Sequence, residues 1–222
     1  MAGSSKGTAL VIGVGPGLGA ALCRALGSAG YTVAAMGRSL KPTAPQAAGA
    51  HVFAADASDP GAVGRAVVAI ESKLGALDVL VYNASGLEIA PPAALSPEKF
   101  EAVWRVSCLG AFVAARAVLP LMEARGHGSA LFTGATASLR GGANFAAFAS
   151  AKFALRGLVQ SLARTYGPKG VHVAHAIIDG QIGTGDDRLH PDDIARAYLN
   201  VIDQPRSSWT QEFDLRPFSE RY

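Results

Sequence analysis

Thr8-Ala-Leu-Val-Ile-Gly-Val14-Gly-Pro-Gly17-Leu-Gly19 is a continuous apolar run that ends in four closely spaced glycines. An apolar run without polar alternation suits a short strand buried on both faces of a parallel sheet. Glycines at the turn let the backbone bend tightly and approach a pyrophosphate, whose charge then meets the N-terminus of the following helix. That helix reads from Leu18 to Ser28. A glycine-rich string alone is weak, because many loops carry one. Between the first strand and first helix of an alternating chain it stands where a dinucleotide-binding fold needs it.

The alternation continues. Strands are expected at Tyr31–Met36, His51–Ala55, Leu77–Tyr82, Ser129–Thr133, Val171–Ile178 and Thr210–Leu215. Helices are expected at Pro60–Leu74, Pro97–Glu123, Phe145–Tyr166 and Pro191–Ile202. Strand then helix, repeated, predicts an α/β fold: a doubly wound parallel sheet of about seven strands, helices on both faces, in a single domain. No repeat or low-complexity block interrupts the pattern.

Half of the 222 residues are hydrophobic and 17% are charged, a balance that excludes a disordered chain. The apolar runs Ala9–Val14 and Leu77–Tyr82 are far shorter than the roughly 20 residues of a spanning helix. No signal-peptide core precedes the first strand, so a cytoplasmic protein without a membrane partner is expected. The net charge is +3, but the arginines are scattered from Arg24 to Arg221 with no basic block, which disfavours nucleic acid. Cys23 and Cys108 have no metal-like spacing. His172 and His175 lie three apart in a predicted strand, facing opposite sides, so no metal site is expected.

The spacing Gly13-x-x-x-Gly17-x-Gly19 resembles the short-chain dehydrogenase/reductase family, and further motifs along nearly the whole chain support the resemblance. It implies a Rossmann-type fold that binds a nicotinamide dinucleotide through Gly13, Gly17, Leu18 and Gly19. Gly37-Arg38-Ser39 follows the second strand, where NAD-preferring relatives carry an acidic residue. Arg38 is suited to a 2′-phosphate, so NADP(H) is preferred and NAD(H) stays possible; the plain alternative is a solvated arginine. Asp56 and Ala57 resemble the adenine-contacting pair, although Asp56 also reads as a loop-capping aspartate. Asn83 keeps one position of the family's Asn-Asn-Ala-Gly, here Tyr82-Asn83-Ala84-Ser85. Ile182 and Thr184 match the residues that contact the nicotinamide amide, while Asp179 replaces the proline that leads this motif.

The family's catalytic group is Ser, Tyr-x-x-x-Lys and a helix Asn. Here Lys152 is retained, Phe148 stands for the tyrosine, Ala135 for the serine and Ser107 for the asparagine. Phenylalanine has no proton to give and alanine no hydroxyl, and loss of a positioned acid or base costs about 10²–10⁴ in rate. Tyr82, Thr136 and Ser138 are the possible substitutes, with loop-backbone bonding the plainer role for the last two. Only Gly185–His190 separates Thr184 from Pro191, where relatives insert a lid. An open site suits a bulky carbonyl substrate, or none, better than a sequestered small one. Two functions therefore compete: an NADP(H)-dependent oxidoreductase with an atypical proton donor, and a non-catalytic NADP(H)-binding protein. The resemblance also implies a homodimer, or a homotetramer built from it, through the helices at 97–123 and 145–166, with Ala111, Ala114, Ala115, Ala151, Leu155 and Leu158 on the contact faces. Light scattering at micromolar concentration should return at least twice the 22.7 kDa chain mass.

Overall fold

The computed structural model describes residues 5–47 and 49–219. Seven strands form one sheet: β1 (Thr8–Ile12), β2 (Thr32–Gly37), β3 (His51–Ala54), β4 (Leu77–Tyr82), β5 (Gly128–Thr133), β6 (Val171–Ile178) and β7 (Glu212–Leu215). Their order is β3-β2-β1-β4-β5-β6-β7 and every pairing is parallel. The helices are α1 (Leu18–Ser28), α2 (Pro60–Leu74), α3 (Pro97–Trp104), α4 (Gly110–Arg125), α5 (Ala146–Tyr166) and α6 (Pro191–Ile202). This is the doubly wound Rossmann-type sheet that the alternation predicts. The strand order reverses between β1 and β4, and that reversal opens a crevice beyond the C-terminal ends of the strands.

Each strand sends alternate side chains to opposite faces. Leu10, Ile12, Leu80, Tyr82 and Phe132 pack in the cluster that includes residues of α2, α4 and α5. Ala9, Val11, Val81 and Leu131 pack in a second cluster with residues of α1 and α6. The run between Arg38 and His51 holds only a short 3₁₀ turn at Pro45–Ala47. No α-helix forms there among the described residues, as the prolines in it require.

Two expectations need correction. The helix expected over Pro97–Glu123 is interrupted by a π turn at Arg105–Leu109, which separates α3 from α4. The continuous helical run Pro97–Arg125 has the length and apolarity of a membrane span by composition, a point the short apolar runs had concealed. Its apolar face is nevertheless used inside the protein, where Ala111, Ala114, Val118 and Leu119 are fully buried. The second correction follows from that burial. Ala111, Ala114, Ala115, Ala151 and Leu155 belong to the chain's own core, so of the six residues expected on a contact face only Leu158 is part-exposed. The small size of Ala111, Ala114 and Ala115 lets α4 lie close to the sheet. The large apolar side chains left exposed on these two helices are Phe112 and Phe153.

Candidate cofactor and substrate site

The turn after β1 is shaped by contacts that only glycine permits. Gly13 has φ +92°, and a Cβ there would lie 2.3 Å from the backbone nitrogen of Ala84. A Cβ on Gly19 would lie 2.6 Å from the carbonyl oxygen of Gly13. Gly15 and Gly17 face open space. Gly17 begins α1 without a side-chain cap, and the first turn of α1 carries no acidic residue. Free N–H groups at a helix start, next to an uncluttered turn, are what a pyrophosphate needs. Asn83 holds the turn in place, its Nδ2 donating to the Gly13 carbonyl at 2.9 Å.

Beyond this turn lies a cleft of about 590 Å³ whose lining includes Gly13, Arg38, Asp56, Ala57 and Asn83. Five of the residues expected to hold cofactor are thus brought together. Leu18 and Gly19 support the cleft from the first turn of α1. Ser39 and Thr184 do not line it. Asp56 accepts bonds from the Ser58 amide at 2.9 Å and the Ser58 hydroxyl at 2.7 Å, which hold its carboxyl below the ordinary carboxylate range. Arg38 adds little to that, since its guanidinium is 3.9 Å away and 78% exposed. It stays available to an anion arriving beside β2. The cleft therefore fits a dinucleotide on this chain's own geometry.

A second cavity, of about 850 Å³, shares Asn83, Ser85 and Leu87 with the cleft. Its walls carry Leu87, Ile89, Phe145, Phe148, Ile178 and Ile182. Three of these stay open to solvent at its mouth: Leu87 is 59% exposed, Ile89 57% and Ile182 39%. The connection Gly185–His190 folds back on itself, Leu189 donating to the Gln181 carbonyl, and forms no lid. Lys152 reaches the cavity from α5 while being 98% buried overall. Its Nζ donates to the Thr133 carbonyl at 2.8 Å and lies 5.6 Å from the centre of the Phe148 ring. Burial pushes this amine down to about 8. Ala135, in the wall beside it, offers a methyl group where the family places a hydroxyl.

The possible substitutes separate clearly. Tyr82 is 1% exposed and donates its hydroxyl to the Val106 carbonyl at 2.5 Å, packed under α4. Burial raises its pKa well above that of an ordinary phenol, and it lines neither cavity, so it is not a proton source here. Ser138 is fully buried, accepts from the Ala135 amide at 3.2 Å and lies 3.5 Å from Nε2 of His175. His175 in turn contacts Glu212 at 3.0 Å, so Ser138 braces the wall from behind. Ser107, in the π turn, accepts from the Gly86 amide at 3.0 Å and lies 3.1 Å from the Ser85 hydroxyl. Thr136 alone of the three substitutes lines the substrate cavity. Its hydroxyl donates to Asp179, the residue in place of the family's proline, at 2.6 Å. The available signal was a carboxylate directly after the buried strand Val171–Ile178.

A doubly wound parallel sheet with a glycine turn and a cleft at its reversal point defines a Rossmann-type dinucleotide-binding fold. The family model for short chain dehydrogenases matches residues 7–188. A short-chain dehydrogenase structure from Rhodopseudomonas palustris superposes with a TM-score of 0.86 at 38% identity, covering 96% of this chain and 99% of that one. An alcohol dehydrogenase from the archaeon Thermococcus sibiricus, complexed with 5-hydroxy-NADP, gives 0.88 at 27% identity, covering 98% and 99%. The 3-oxoacyl-[acyl-carrier-protein] reductase MabA of Mycobacterium tuberculosis is 31% identical over 197 residues, 89% of this chain and 78% of that protein. This chain belongs to the short-chain dehydrogenase family.

Proposed function

We propose that the protein is an NADP(H)-dependent oxidoreductase that interconverts an apolar carbonyl compound and its alcohol. The observation that carries this reading is the junction of the two cavities: the apolar one opens onto the cleft at Asn83, Ser85 and Leu87 and has Lys152 at its floor. When bound, the dinucleotide supplies or accepts the hydride. The chain supplies the rest. Gly15, Gly17 and the start of α1 receive the pyrophosphate, Arg38 the 2′-phosphate, and Lys152 the nicotinamide ribose. The apolar part of the wall receives the hydrocarbon of the bound carbonyl compound, with Lys152 and Arg140 as the charged groups in the lining.

A charge-assisted hydrogen bond contributes about 1.5–3 kcal/mol, so loss of the Arg38 contact should weaken NADPH binding tenfold or more. Fluorescence titration should show NADPH binding more tightly than NADH, with Arg38→Ala erasing most of the difference. Equal dissociation constants in the unmutated protein would remove the 2′-phosphate assignment. NADPH oxidation across apolar ketones of graded size tests the reaction itself. The absence of hydroxyls at Phe148 and Ala135 favours a second reading, an NADP(H)-binding protein that does no chemistry. Tight NADPH binding with no turnover on any ketone would establish that reading in place of the first.

A further inference from the structure

We infer that Thr136 and Asp179 form the proton-transfer pair of this site, taking the hydroxyl proton of an apolar secondary alcohol. The inference rests on the oxidoreductase reading above and adds the group that reading leaves unnamed.

Thr136 follows Ala135 directly and lines the substrate cavity. A hydroxyl has one proton to donate and two lone pairs to accept with. The proton of Thr136 is already committed to Asp179 Oδ1 at 2.6 Å. What the hydroxyl can offer to the cavity is therefore an acceptor, which matches a substrate O–H and not a carbonyl oxygen. Asp179 lies behind Thr136, only 3% exposed, and is absent from the cavity wall. A buried carboxylate needs charged or hydrogen-bonding partners. Two guanidinium groups supply them: Arg140 at 3.8 Å from Oδ1 and Arg216 at 3.5 Å from Oδ2, the latter also paired with Asp214. Thr136 and Arg140, both in the cavity wall, thus connect the buried carboxylate to the cavity, and the Thr136 hydroxyl is its hydrogen-bonded link.

In the alcohol-to-carbonyl direction, the substrate O–H bond breaks and its proton passes to Thr136 Oγ1. The proton of Thr136 moves at the same time along its existing hydrogen bond to Asp179. The electron pair freed from the O–H bond forms the carbonyl π bond, and the carbinol C–H hydride leaves to NADP⁺, which is reduced to NADPH. Asp179 ends as the neutral acid and returns its proton to solvent between turnovers. The carbonyl-to-alcohol reaction runs the same two proton movements backwards. Thr136 is then a catalytic residue, and Asp179 acts through it.

The test uses NADP⁺ with 1-phenylethanol, 1-indanol and 2-octanol, read as NADPH formation from pH 5 to 10, beside a fluorescence titration of NADPH binding. Thr136→Val keeps the shape and leaves Asp179 with both arginines. It should lower kcat about 10²-fold or more while NADPH affinity stays within twofold. Thr136→Ser, which keeps the hydroxyl, should recover kcat to within tenfold of the unmutated protein. Asp179→Asn should lower kcat about as far as Thr136→Val does, with NADPH affinity within twofold. If that variant does not fold, Thr136→Val and Thr136→Ser decide alone. Turnover of Thr136→Val within threefold of the unmutated protein would overturn the pair and leave the oxidoreductase reading standing. An unmutated protein that binds NADPH but oxidises none of the alcohols and reduces none of their ketones would overturn both.

Discussion

Lys152→Met is expected to make the cofactor-free protein more stable at pH 7 while weakening its hold on NADPH. The amine is 98% buried and, among the described residues, its one hydrogen bond goes to the neutral Thr133 carbonyl. Its fall from 10.5 to about 8 corresponds to a penalty of ~3 kcal/mol for keeping the charge inside. A folded-state pKa below the unfolded value means that the unfolded chain binds the extra proton between pH 8 and 10.5. Stability of the unmutated protein should therefore rise with pH across that window, and the full penalty applies below it. Methionine has a similar volume and no charge, but it strands the Thr133 carbonyl, which costs about 1 kcal/mol. The net gain at pH 7 should be ~2 kcal/mol, shrinking toward zero or below at pH 10.5 and above. NADPH binding should weaken tenfold or more as the ribose contact is lost. Urea unfolding at pH 7 and pH 10.5, with a parallel NADPH titration, reads both effects. A variant less stable than the parent at pH 7 would show that the amine is not held at an energetic disadvantage.

The second large effect is a gain of activity. Phe148→Tyr with Ala135→Ser places a phenol above the Lys152 ammonium, where the ring centre already lies 5.6 Å from Nζ, and a hydroxyl on the facing wall. A positioned acid contributes about 10²–10⁴-fold, and a hydrogen bond to the developing oxyanion adds to it. NADPH-dependent reduction of an apolar ketone should rise about 10²-fold over the parent. The gain falls short of the full range because Ser107 spends its lone pairs on the Gly86 amide and the mouth of the cavity stays open. Each single substitution should give much less than the pair, since a donor and its orienting group act as a unit. A double variant no faster than its parent would mean that substrate is not held over Phe148.

The sheet was legible because buried parallel strands are written as uninterrupted apolar runs, and Ala9–Ile12 and Val79–Val81 leave little other reading. The glycine turn was legible for a related reason: its spacing records steric demands at Gly13 and Gly19 that no other residue meets. The π turn was not, because the apolar spacing runs on through Val106, Cys108 and Leu109 as though the helix were regular. A single extra residue in one turn changes the backbone bonding without changing the composition. Tyr82 misled because its place at the end of β4 is correct but its side chain follows Leu80 into the core. Asp179 stayed hidden because its partners are scattered: Thr136 lies 43 residues earlier and Arg216 on the far side of β7. Sequence shows the loss of a proline at that position; only the fold shows what the carboxylate meets.

The shape of the glycine turn is borrowed from a segment synthesised much later. Gly13 is held by Asn83, 70 positions further along, and its missing side chain leaves room for the backbone of Ala84. While the chain emerges from the ribosome, β1, α1 and β2 are complete long before β4 exists to complete the turn. A nascent chain that ends before β4 therefore has the glycines but not the completed turn. Cofactor can stabilise the protein only by mass action after β4 has docked.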